Sequence, residues 1–161
     1  MMEKLDEDIR GIGGWLLVFV ILLMLVGPAL AGLSIIAELQ AAAVDEPEWA
    51  TTIDYEDALI GAWFVWGFTT LLAMIAGLLL IFRRKPSSVW TTISILWIIG
   101  PTLNLLLLLD SYSVGESITA ESWVGMVRSL IPAGIWTAYL LLSDRVANTY
   151  NFRRGPSTQL E

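Results

Sequence analysis

Apolar residues gather into four long runs separated by short polar or charged links, and the runs predict helices over about 12–37, 58–82, 88–109 and 122–143. Each has roughly 20 residues or more, enough to cross a hydrocarbon core of ~30 Å as an α-helix. None carries the polar face that a surface helix of a water-soluble domain shows. The pattern therefore predicts an all-α polytopic membrane protein: one domain over 1–161, built as a four-transmembrane-helix bundle, with 144–161 as a cytoplasmic tail. The first run is too long for the apolar region of a cleavable signal peptide, and the residues before it are too acidic. It reads as a retained first helix.

Charge sets the direction of the bundle. Lys4 and Arg10 precede the first helix, Arg83, Arg84 and Lys85 link the second to the third, and Arg145, Arg153 and Arg154 follow the fourth. With four spans all eight fall on one side, out of nine Lys and Arg in the chain. The other links are acidic: Glu38, Asp45, Glu46, Glu48, Asp54, Glu56 and Asp57 in one, Asp110, Glu116 and Glu121 in the other. By the positive-inside rule, N and C termini are cytoplasmic. The net charge of −7 is the sum of two unlike faces and does not imply a basic partner. The short basic link makes the second and third helices antiparallel neighbours, and Pro86 suits a first helical turn, where its missing N–H costs nothing.

Composition narrows the chemistry. The chain is 56% hydrophobic and has eight Trp, a residue that favours membrane–water interfaces. It has no Cys and no His. Thiol nucleophiles, thiolate metal sites and imidazole chemistry are therefore excluded. No paired acids lie deep in a span, and both Lys lie outside the spans, so neither a carboxylate dyad nor a Ser–Lys dyad is formed there. Gly11-x-Gly13-Gly14 follows no strand and is not a dinucleotide fingerprint. A nucleic-acid-binding face would need more clustered cations than these. The expectation is a protein that is not an enzyme, with no cofactor, no metal and no nucleic-acid partner.

A few residues interrupt the apolar runs. Pro28 and Pro101 each remove a backbone hydrogen bond inside the bilayer. The freed carbonyls need partners, and Thr102, Ser34, Thr69 and Thr70 are the candidate donors. Gly27-Pro28 and Gly100-Pro101 sit at similar depths in the first and third helices, with Pro132 and Gly134 comparably placed in the fourth. This layer reads as packing kinks or, alternatively, as a cavity or hinge. Asn104 is expected to bond across helices; the alternative is contact with a ligand. Arg128 is the one cation inside a span. It is read as a clamp paired with Glu38, Asp57, Asp110 or Glu121, Glu38 and Asp110 foremost; the alternative is a functional charge. The glycine pairs Gly27/Gly32 and Gly61/Gly67 offer close helix approach.

Two terminal segments carry a resemblance. Gly11-Ile12-Gly13-Gly14-Trp15-Leu16 opens the first helix, and 135–150 closes the fourth, with Trp136, Tyr139, Ser143, Arg145, Val146, Thr149 and Tyr150. Together they resemble the YdgK-like bacterial inner-membrane family, domain of unknown function 2569. That family has a Gly-Gly-Trp-Leu opening and a Tyr-x-x-x-Ser-x-Arg-Val-x-x-Thr-aromatic ending. Asp144 departs from it, standing where a basic residue is usual, as does Tyr150, standing for Phe. The resemblance implies a four-span protein in the bacterial inner (plasma) membrane and no particular activity. Physically, both segments fall at the cytoplasmic rim, where they form either a clasp between the first and fourth helices with lipid anchoring, or a docking surface. The expected role is a non-enzymatic accessory or scaffold protein. Its partners would be membrane lipids and another membrane protein or a homo-oligomer. The alternative is a small oligomeric transporter or channel using the Gly-Pro layer.

Overall fold

In the computed structural model, residues 12–45, 48, 53–113, 115 and 119–151 are described. They form α1 (Trp15–Asp45), α2 (Ile53–Phe82), α3 (Pro86–Ser113), α4 (Ala120–Leu142) and a short α5 (Asp144–Tyr150). Four of these helices are long and apolar enough to cross a membrane. No strand occurs among the described residues. Lys4, Arg10, Gly11, Arg153 and Arg154, and much of the acidic links, lie outside the described residues.

Local signals mark the helix ends. Lys85 is extended and Pro86 opens α3 as expected, while Ser88 Oγ donates to the Arg83 carbonyl at 2.6 Å and closes the tight link. Thr119 caps α4, its hydroxyl accepting the Ser122 N–H at 3.3 Å. Ser143, extended at ψ 126°, breaks α4 from α5, and Asn151 in the left-handed region ends α5.

The two Gly-Pro sites appear as π turns. One, Leu22–Val26, precedes Gly27-Pro28; the other, Ile98–Thr102, contains Pro101. A proline ring clashes with the carbonyl four residues back. Widening the turn by one residue accommodates it, and the Gly27 N–H accordingly donates to the Leu22 carbonyl. Pro132 sits in α4 without a widened turn.

The core is displaced toward one end. Its buried side chains include Leu16, Phe19, Val20 and Leu23 of α1, Ala73, Ala76 and Leu80 of α2, and Val89, Ile93 and Ile95 of α3. Leu140 of α4 and Val146 and Tyr150 of α5 complete it. They occupy the half of the bundle nearer the basic link, where α1 starts and α5 tucks in. The Leu103–Ser113 part of α3 buries nothing, and Gly32 is the one buried residue of the Gly27–Asp45 part of α1. Elsewhere the bundle turns large apolar side chains outward, Phe64, Leu106 and Val124 among them. In a bilayer that outward surface meets acyl chains.

Candidate functional site

Three places hold the residues that the sequence singles out. The first is the rim around α5. Val146, Thr149 and Tyr150, spaced three and four apart, share one helical face and are all buried. The Tyr150 hydroxyl donates to the Leu80 carbonyl at 2.7 Å. Leu80 lies in the last turn of α2, where carbonyls have no partner within the helix, so a side chain from the far end of the chain caps α2. Burial pushes the Tyr150 phenol up to about 12, partly opposed by the positive charge of Arg84. Arg145 lies against the start of α1: a Cβ on Gly13 would come 3.0 Å from its Nη1, and one on Gly14 3.8 Å from its Nε. Gly14 also has φ +56°, a conformation that L side chains rarely adopt. Trp15 points outward, as an interfacial anchor would. Above the rim, the Trp136 ring packs on Phe19 at 4.6 Å between centroids and edge-on to Tyr139 at 5.8 Å. The structure thus brings Gly13, Gly14, Trp136, Tyr139, Ser143, Arg145, Val146, Thr149 and Tyr150 into one intramolecular clasp.

The second place is the kinked layer. Its polar bonds differ from those expected. The Pro28 carbonyl, which is not the one its own missing N–H frees, accepts from the Trp66 indole N–H at 2.8 Å. Gly32 makes room for that ring, since a Cβ there would come 3.0 Å from Trp66 Nε1. Thr69 donates within its own helix, to Val65 at 2.9 Å and Trp66 at 3.0 Å. Asn104 likewise bonds back within its own helix, to the Gly100 carbonyl at 3.0 Å, rather than bridging helices. Further cross-helix bonds run from Thr92 to the Ala76 carbonyl at 3.4 Å and from the Trp97 indole to Thr137 at 3.0 Å. Close approach is made at Gly77, where a Cβ would overlap the Met24 side chain, while Gly61 and Gly67 face open space. Between the two π turns lies a cavity of about 300 Å³.

The third place is Arg128. Of the four partners expected for the clamp, Arg128 makes no ion pair with Glu38, Asp57 or Asp110 among the described residues, and the Glu121 side chain lies outside them. Arg128 is exposed. It lies in a shallow hollow of α4 with Trp123, Val124, Val127 and Ile131. The pairings foremost in the expectation, with Glu38 and Asp110, fail on helix rotation. A helix apolar all round gives no phase by which sequence can tell an inward position from an outward one.

Sequence could have found Trp66, because Gly32 four residues after Pro28 signals a large neighbour. It held no signal for Leu80, whose contribution is a backbone carbonyl. No group of three or more metal-ligating side chains occurs among the described residues. A family model described as "Protein of unknown function (DUF2569)" matches residues 9–151. Neither a curated protein nor a solved structure matches the chain.

Proposed function

The chain belongs to the DUF2569 family, of unknown function, and from that premise and its geometry we propose a non-enzymatic accessory membrane protein that binds another membrane protein through the exposed face of α4. Arg128 carries this reading. A cation within a span is costly against lipid, and such residues ordinarily face a bundle interior or a paired charge. Here it stands about 12 Å along α4 from Ala120, at ~1.5 Å per residue, on an apolar stripe and without an acidic partner among the described residues. A neighbouring span that supplies a carboxylate or a carbonyl cluster would satisfy it. Val124, Val127 and Ile131 would add apolar contact. The competing fate of Arg128 is to extend along the helix to the nearer headgroups.

The family-like residues at the rim have a different role in this proposal. Val146, Thr149 and Tyr150 are consumed by the clasp, which supports a scaffold held rigid at one end. The exposed Arg83, Arg84 and Lys85 would face the cytoplasm and anionic lipid of a bacterial inner membrane.

A photoreactive amino acid at Val127, irradiated in native membranes, tests the proposal. The expected product is a crosslink to a second polypeptide or to a second copy, lost in Arg128→Glu while Arg128→Lys retains it. Recovery of the uncrosslinked monomer alone, or equal crosslinking in Arg128→Glu, overturns it.

A further inference from the structure

We propose that the cavity between the two π turns binds an uncharged, ring-sized lipophile through one acceptor oxygen, such as a carbonyl, placed against Thr70. The cavity of about 300 Å³ is lined by all four long helices and by no charged residue. That size is at the lower bound of small-molecule sites. Leu22, Gly27 and Ala31 on its edge are exposed, so it opens to the outside of the bundle, where acyl chains lie in a bilayer.

The adjacent pair Thr69 and Thr70 places two hydroxyl-bearing side chains on the α2 wall of the cavity. Hydroxyls in apolar helices ordinarily bond to a carbonyl one turn back, and Thr69 does so. Thr70 does not: its Oγ1 is buried and has no hydrogen-bond partner among the described residues. A buried hydroxyl left unmade is costly. Water is a poor remedy, because an ordered buried water needs two to four polar partners and, besides these two hydroxyls, one of them already bonded, the lining side chains offer only the Trp136 indole N–H. An oxygen brought in on an apolar body would satisfy Thr70 without adding another unpaired polar group, once the side chain turns its buried hydroxyl toward the cavity that the residue lines. The aromatic pair Phe19 and Trp136 forms part of the wall, and aromatic faces favour a flat ring over a branched chain. The absence of lining charges selects against ionised ligands. The π turns have a part in this: widened backbone at Leu22–Val26 and Ile98–Thr102 opens space that regular helices would fill.

Benzophenone, a neutral diaryl ketone that labels on irradiation, is the probe. The full chain in phosphatidylcholine nanodiscs is irradiated with it and the adducts are mapped by peptide mass spectrometry. Adducts are expected at Leu23, Leu96 or Ile99. Thr70→Val should weaken labelling at those residues roughly three- to tenfold, the worth of one net hydrogen bond, without lowering the thermal transition of the protein. Thr70→Ser should retain the labelling and Ala31→Phe, which fills the cavity mouth, should abolish it. Equal labelling of Thr70→Val, or adducts spread evenly over Phe64, Leu106 and Val127, overturns the proposal.

Discussion

The two ends of this bundle are built from the same apolar alphabet and differ in how they use it. At the rim, α1, α2, α3 and α5 bury Leu16, Leu80, Val89, Val146 and Tyr150 completely. At the end with the acidic links, Leu105, Leu106, Leu107 and Leu109 of α3 are all exposed. Between lipid and protein the transfer of an apolar side chain gains little, so membrane helices associate through close packing and hydrogen bonds rather than hydrophobicity. The rim and the layer next to it have those devices: Tyr150 on the Leu80 carbonyl at the rim, Thr92 on the Ala76 carbonyl and Gly77 against Met24 beyond it. The far end has leucines and few of them. Leucine content therefore says where the chain is in the membrane, and small residues and hydroxyls say where it is packed.

The sharpest way to break this comparison is to truncate one large side chain at each end. Tyr150→Ala should cost about 3–5 kcal/mol, the usual range for deleting a buried aromatic ring, whereas Leu106→Ala should stay within about 0.5 kcal/mol. Thermal unfolding in a fixed detergent measures both, and equal losses would erase the distinction between the ends. Glycines give a second, smaller contrast. Gly77→Leu must displace Met24 and should cost about 1–3 kcal/mol, while Gly61→Leu enters open space and should cost nothing measurable by the same assay.

The smallest effect isolates a single bond. Tyr150→Phe keeps the ring and removes the donor to Leu80, for an expected loss of about 1 kcal/mol. It also carries a pH signature. The folded phenol is pushed up to about 12 from an ordinary 10.0, so the neutral hydroxyl is favoured by folding. Its contribution is complete below the ordinary value and is lost as pH rises through about 12. Spectrophotometric titration should therefore show a tyrosine ionising at about 12 that is absent from Tyr150→Phe, and the variant's stability should fall less steeply over that window. A titration unchanged by the substitution would place the high value on another tyrosine.

Much of the architecture was legible in the sequence because a bilayer enforces it: apolar length gives the spans. Boundaries were less so. The run ending near 37 continues as helix to Asp45, and α2 begins at Ile53 rather than near 58, because a helix need not stop where the hydrocarbon does. The Gly-Pro layer was visible as letters, but not its π register, which is a matter of hydrogen-bond partners. At the candidate sites, polar side chains were found and their directions were not. Asn104 turned to its own helix, Thr69 did the same, and Arg128 faced outward. Each outcome depends on rotation about an axis along which every face is apolar. The rim letters of the resemblance were fully legible. The contact they serve runs to a backbone atom, and a backbone atom leaves no mark on composition.

That contact spans 70 residues of chain, from Leu80 to Tyr150. A ribosome makes the acceptor long before the donor. While α3 and α4 are being synthesised and inserted, the last turn of α2 has no access to the hydroxyl that finally caps it. The clasp therefore closes only after the fourth span has been delivered, and its closure records that all four helices have reached their places.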